Sequence, residues 1–89
     1  MTIQETSRFK KVYKKLNSNQ KIDVDSAIRF IIKNPDTGQR KKGNLSAVRI
    51  YKFRCVNQLT LLAYTISNDR LVLTLLDVGS HENFYRDLN

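Results

Sequence analysis

The chain has 89 residues, enough for a single domain spanning residues 1–89. With 40% hydrophobic and 27% charged residues it has the composition of a folded protein, which excludes disorder over its whole length, and no apolar run approaches the length of a membrane span. Sixteen Lys and Arg against eight Asp and Glu leave a net charge of +8, unevenly placed: residues 1–54 hold 14 basic and 4 acidic side chains, residues 55–89 hold 2 and 4. Such a field favours RNA, DNA, an anionic membrane or an acidic protein, although charge alone fits a solvated surface equally well. Cys55 is the only cysteine, so neither an internal disulfide nor a cysteine-based metal site is expected, and a reducing cytoplasm fits. Met1-Thr2-Ile3-Gln4-Glu5 lacks the charged-then-apolar order of a signal peptide. The expectation is a soluble cytoplasmic protein with no membrane association, metal or cofactor.

The elements follow in chain order. Thr2 and Ile3 can pair as a short edge strand before Thr6. Phe9, Val12, Tyr13 and Leu16 recur at helical spacing with Lys10, Lys11, Lys14 and Lys15 between them, which predicts an amphipathic helix over residues 6–16 with a basic outer face. Asn17-Ser18-Asn19 is a turn, with Ser18 or Asn19 as cap for a second helix over 20–33. Ile22, Ala27, Ile28, Ile31 and Ile32 supply its buried stripe, and Asn34-Pro35 stops it. Residues 35–46, with Pro35, Gly38, Gly43 and the basic run Arg40-Lys41-Lys42, read as a loop. Three segments rich in β-branched and aromatic residues follow, at 47–54, 59–66 and 71–78. Asn57-Gln58 and Ser67-Asn68-Asp69-Arg70 separate them, which predicts an antiparallel meander. The two later strands are apolar on both faces, so one side of the sheet should be covered and the other partly open. Ser80 and Glu82 suit the start of a short C-terminal helix over 80–88. The fold class is therefore α+β: a two-layer domain with an N-terminal α-hairpin on one face of a small antiparallel sheet. The second face is left for a ligand.

Several segments resemble a known family. Phe9-Lys10-Lys11-Val12-Tyr13-Lys14-Lys15-Leu16 is similar to the opening helix of the RelE/ParE toxin superfamily. Asn34-Pro35-Asp36-Thr37-Gly38 resembles its "NP…G" break. Lys42-Gly43-Asn44-Leu45, followed by Val48-Arg49-Ile50-Tyr51-Lys52-Phe53-Arg54, resembles its "L.G…R.YK.R" entry into the sheet. Leu61-Leu62-Ala63-Tyr64 resembles the "LxY" second strand, and residues 79–88 resemble the "GxHENFYRDL" ending of one ParE-like branch. Each segment is weak alone; five in order cover nearly the whole chain. The resemblance implies the toxin of a type II toxin–antitoxin pair, neutralised by a small acidic antitoxin through which oligomers can form. RelE-like members enter the ribosome and cut mRNA, whereas ParE-like members poison DNA gyrase and cut nothing. The fold does not choose between them. The RelE-like reading makes this chain a metal-independent mRNA endoribonuclease with ribosome and mRNA as partners. The alternatives are a non-catalytic gyrase inhibitor and a basic RNA-binding module.

Metal-free RNA cleavage needs a base for the 2′-hydroxyl proton, an acid for the leaving 5′-oxygen and cations for the developing phosphorane charge. His81, the only histidine, suits acid or base work; it fits equally a helix-start residue making a local hydrogen bond. Lys52 and Arg54 alternate with Tyr51 and Phe53, which puts both cations on one sheet face. The resemblance makes that face the substrate side. By the same alternation Arg49 falls with Tyr51 and Phe53. Tyr85 is a candidate for stacking on a base or assisting catalysis, and Phe84 for packing into the core. Arg86 can bind phosphate or pair with Glu82 four residues earlier. Lys10, Lys11, Lys14, Lys15, Arg40, Lys41, Lys42, Arg49 and Arg86 form the expected phosphate-binding set. One departure stands out: the RelE-type pattern has an arginine three residues before the second-strand tyrosine, and here that residue is Leu61.

Overall fold

The computed structural model describes residues 1–41, 47–67, 69–81 and 84. Its elements are β1 (Thr2–Glu5), α1 (Ser7–Lys15), α2 (Ser18–Lys33), β2 (Gln39–Arg40), β3 (Arg49–Cys55), β4 (Gln58–Ser67) and β5 (Val72–Ser80). The strands form one sheet in the order β1-β5-β4-β3-β2. All pairings are antiparallel except β1 with β5, which run parallel from Thr2↔Val72 to Glu5↔Leu75. Two helices on a mostly antiparallel sheet give the expected two-layer α+β arrangement. Among the described residues no helix is long and apolar enough to cross a membrane.

Local chemistry sets the helix limits. Thr6 caps α1: its hydroxyl accepts the Phe9 N–H at 3.1 Å and donates to the Leu76 carbonyl at 2.7 Å, so one side chain starts the helix and docks it on β5. Lys14 and Lys15 occupy the last turn, where the helix dipole favours cations. The second helix begins two residues earlier than its apolar stripe suggests. Asn17, rather than Ser18 or Asn19, is the cap, because Gln20 three residues on completes a reciprocal box: Gln20 N–H to Asn17 Oδ1 and Asn17 N–H to Gln20 Oε1, both 2.9 Å.

The main core lies between the helices and the sheet. Phe9, Val24 and Ile31 meet Leu62, Tyr64, Leu73, Leu75 and Val78, all buried. A smaller cluster occupies the opposite face, where Ile50, Leu61, Ala63 and Phe84 are buried, with Val48 and Leu76 packed against them. The centre of the second face is therefore closed rather than open to a ligand. This satisfies the apolar residues that β4 carries on both sides.

Three features were not legible from side-chain pattern. Gln39 and Arg40, inside the expected loop, form the two-residue β2 against Ile50 and Arg49. The first hairpin turns at Val56-Asn57, one residue earlier than Asn57-Gln58. Both residues have left-handed backbone (φ 48° and 66°), and the Val56 N–H is held by Asp23 Oδ2 at 2.8 Å. Strand β5 continues through Gly79 and Ser80, which pair with Leu61 and Thr60. Of the helix expected over 80–88, Ser80 is the last residue of β5 rather than a cap, and beyond it only His81 and Phe84 fall among the described residues.

Candidate functional site

Strand register assembles the site. On β3, Lys52 pairs with Leu61 and Arg54 with Leu59; on the other side of β4, Leu61 pairs with Gly79 and Thr60 with Ser80. Lys52, Leu61 and Gly79 thus form one row across three strands. Arg54 lies one pleat further along, and His81 leaves β5 at the same end. Adjacent strands lie about 4.8 Å apart, so β3 and β5 are roughly 10 Å apart across β4, an interval long side chains can bridge to a shared ligand. Lys52 and Arg54 lie two and four residues beyond Ile50 on β3 and so share its face, and Ile50 belongs to the cluster opposite the helices. Lys52, Arg54 and His81 are all exposed. Arg54 also donates to the Asn57 carbonyl at 3.3 Å, which leans its guanidinium toward the turn.

The floor beneath this corner is apolar. Leu61 and Phe84 are both in the second cluster and buried, with 0% and 2% exposure. Phe84 is therefore a core residue, and the position where the RelE-type pattern has an arginine is sealed under hydrophobic contacts. Tyr85, Arg86 and Lys42 lie outside the described residues.

The remaining expected phosphate contacts are dispersed. Lys10, Lys11, Lys14 and Lys15 are exposed on α1, which packs on the face opposite Lys52. Arg40 is exposed on β2, and the Lys41 N–H donates to the Val48 carbonyl at 2.9 Å. Arg49 is a tethering residue: its Nη1 donates to the Gly38 carbonyl at 2.9 Å and the Asp36 carbonyl at 3.3 Å, and its Nη2 lies 3.3 Å from Asp36 Oδ1. Alternation had placed it with Tyr51 and Phe53, and its neighbour across the ladder is Tyr64. Burial pushes the Tyr64 hydroxyl up from its ordinary value. Burial likewise raises the Cys55 thiol, keeping it in the less nucleophilic form.

Sequence reading missed the ion pair that the half-exposed Arg8 makes with the buried Asp77. Asp77 is 4% exposed; its Oδ2 accepts from Arg8 Nε at 2.8 Å and its Oδ1 from the Val78 N–H at 2.8 Å. The pair fastens the start of α1 to β5 where the β4–β5 register shifts, between Ala63↔Asp77 and Tyr64↔Leu75. A lone carboxylate in the apolar run of β5 was the available signal, but its partner is 69 residues away.

Comparison with known proteins agrees with this architecture. The family model described as a ParE-like toxin of type II bacterial toxin–antitoxin systems matches residues 3–89. Comparison with curated proteins returns no match. Among solved structures, the YoeB/ParE toxin from Agrobacterium tumefaciens superposes with a TM-score of 0.73 at 16% identity, covering 91% of this chain and 99% of that one. The intact E. coli RelBE toxin–antitoxin complex gives 0.70 at 18% identity, covering 89% and 94%. The isolated E. coli RelE toxin gives 0.69 at 17% identity, covering 98% and 94%. At these identities the structural likeness speaks for the fold, and the family match covers almost the whole chain: the protein belongs to the ParE-like toxins of type II bacterial toxin–antitoxin systems.

Proposed function

We propose that the toxin is a ribosome-dependent, metal-independent mRNA endoribonuclease whose reaction centre is the corner formed by Lys52, Arg54 and His81. The observation that carries this reading is the strand register, which brings two cations and the only histidine to one end of the same three strands. In this reaction the 2′-oxygen attacks the adjacent phosphorus, its proton leaves to a base, and the 5′-oxygen departs with a proton from an acid. His81 serves one of the two proton transfers, Tyr85 assists, and Lys52 and Arg54 stabilise the extra negative charge on the phosphoryl oxygens. The exposed lysines of α1 supply sequence-independent attraction to RNA. This reading places the protein in the cytoplasm.

A specific observation favours the second reading, a non-catalytic gyrase inhibitor. Leu61, in place of the RelE-type arginine, is fully buried, so that cation is replaced by a hydrophobic floor. Inducing the gene in growing cells separates the two. Early translation arrest with cut transcripts supports the nuclease; DNA-damage induction with trapped gyrase, and intact transcripts, supports the inhibitor.

The partner in either case is an acidic antitoxin, as the RelBE complex has RelB for RelE. Charge complementarity with a +8 chain supports it. So does an open strip: among the described residues, β3 from Tyr51 to Cys55 is paired only with β4. Beside it Phe30, Tyr51 and Phe53 stack in series, with ring centroids 5.6 and 5.8 Å apart and Phe30 46% exposed. An edge paired on one side only, flanked by the exposed Phe30 and the half-buried Tyr51 and Phe53, is a surface that a partner stabilises by covering it.

A further inference from the structure

At the end of the sheet remote from Lys52 and Arg54, a cleft of roughly 320 Å³ opens among Asp36, Arg40, Ala47, Arg49, Asp69 and Arg70. Arg49 begins β3, about 10 Å from Lys52 and about 17 Å from Arg54 along an extended strand, and by alternation points to the opposite face of the sheet, so this is not the catalytic corner. One anion already sits in the cleft. Asp36 accepts two parallel hydrogen bonds from Arg70, Nη1 to Oδ1 at 3.0 Å and Nη2 to Oδ2 at 2.8 Å, and its Oδ1 lies 3.3 Å from Arg49 Nη2. Hydrogen bonding to Arg70, followed by the charges of Arg70, Arg49 and Arg40, holds the Asp36 carboxyl below its ordinary range.

The pair is exposed on both sides, 54% for the Arg70 side chain and 60% for Asp36, so water and incoming anions compete for it. Arg70 is also presented by a turn in which Asp69 and Arg70 both have left-handed backbone, at φ 54° and 70°, a conformation that aspartate tolerates and arginine uncommonly adopts. Unfavourable backbone conformations at non-glycine residues persist where the surroundings enforce them, and they cluster at ligand-binding sites.

We propose that this cleft is a phosphodiester-binding site for an RNA backbone, with Arg40 and Arg70 as its phosphate-contacting cations and Asp36 as an internal carboxylate that RNA displaces. The proposal rests on the RNA reading above and gives the toxin a second grip on its substrate strand. Guanidiniums converging on one anion position match the non-bridging oxygens of a phosphate. An acidic peptide would need apolar contact as well, and Ala47 and Ile66 are the apolar residues lining the cleft. Asp69 on the rim opposes any anion, so the cleft becomes strongly cationic only when Asp36 swings out.

The test is titration of the full chain with a short, uncleavable 2′-O-methyl RNA at several salt concentrations. Arg40→Ala and Arg70→Ala should each weaken binding on the order of ten-fold. Each should also lower the slope of log affinity against log salt by about 0.7, one single-strand phosphate contact. Asp36→Asn should bind more tightly than the parent. Asp69→Asn removes the same charge without releasing Arg70 and should give a smaller gain. If Arg70→Ala does not fold, Arg70→Lys should keep the salt slope while losing affinity. Unchanged slopes, weaker binding by Asp36→Asn, equal gains from the two aspartate variants, or tighter binding of an oligoglutamate peptide than of the RNA would overturn the proposal. Cleavage plays no part in this readout. A toxin that binds RNA through the cleft but cuts none removes the nuclease reading alone. One that cuts RNA with the slopes unmoved removes the cleft alone.

Discussion

The hydroxyl of Tyr64 accepts the Gly38 amide hydrogen at 2.9 Å while donating to the Pro35 carbonyl at 2.8 Å. A fully buried β4 side chain thereby closes the turn that leads from α2 to β2. Position 38 must be glycine for reasons of space: a Cβ there would lie 2.7 Å from the Tyr64 hydroxyl and 3.0 Å from the Arg49 Cβ. The "NP…G", "R.YK" and "LxY" segments thus belong to one device, with Arg49 bonded to the Gly38 carbonyl on its other side. Tyr64→Phe keeps the ring but leaves the Gly38 amide and the Pro35 carbonyl unsatisfied. We expect a loss of about 1–3 kcal/mol. A loss near 2 kcal/mol would lower the melting temperature by about 8–16 °C for a domain of this size. Thermal melting of the two proteins checks this, and an unchanged midpoint would show that the turn is held by other contacts.

Asp36 gives a pH signature. Its carboxyl is held below the usual value chiefly by hydrogen bonds from Arg70. A carboxyl with a depressed folded-state pKa contributes stability above its unfolded value and loses that contribution as pH falls through the folded one. The melting-temperature gap between the parent and Asp36→Asn should therefore be constant from neutrality down to about pH 5 and close progressively below about pH 4. A gap that persists at lower pH would mean that Asp36 acts through its shape rather than its charge.

The stacked series Phe30, Tyr51 and Phe53 makes a prediction about the antitoxin. Phe30 is nearly half exposed, so Phe30→Ala should change the stability of the isolated toxin by less than about 1 kcal/mol. If the antitoxin covers this strip, the same change should weaken the complex by about 2 kcal/mol, or roughly thirty-fold. The complex should also melt above the free toxin. Calorimetric titration of parent and variant decides it: equal affinities would move the antitoxin to another face.

Element type was largely legible because hydrophobic period changes visibly along the chain. Phe9, Val12 and Leu16 alternate with lysines at helical spacing, and Tyr51, Lys52, Phe53 and Arg54 alternate at strand spacing. What escaped is governed by backbone pairing and by distant partners. Gln39 and Arg40 carry no pattern that marks a strand, and Gly79 and Ser80 extend β5 only because Leu61 and Thr60 offer hydrogen-bond partners. The candidate site divides the same way. Alternation assigned Lys52 and Arg54 to one face, but only register shows that Gly79 shares the Lys52 row. Arg49 reads in sequence as one cation of a basic set, yet its role is fixed by carbonyls of the preceding loop, which no local spacing reveals. The lysines of α1, similarly, are part of the same charge excess but lie on the layer opposite Lys52.

His81 is the residue on which the enzymatic reading depends most. It follows Ser80, the last paired residue of β5, and its exposure leaves it accessible to a bound strand. His81→Gln keeps the approximate size and some hydrogen bonding but removes titration. Loss of one acid–base group costs about 10²–10⁴-fold in rate, whereas a substitution at an exposed position changes stability by no more than about 0.5 kcal/mol. The variant should melt with the parent, bind antitoxin normally and lose most of its ability to cut mRNA on ribosomes. Lys52→Ala should resemble it, because charge on the phosphoryl oxygens goes uncompensated. Lys14→Ala, on the opposite layer, should weaken RNA binding in a salt-sensitive way without abolishing cleavage. Measuring cleavage and toxicity for all three separates the roles. If His81→Gln is folded and as toxic as the parent, acid–base catalysis by His81 is wrong, and a gyrase-directed action built over the Leu61 floor becomes the better account.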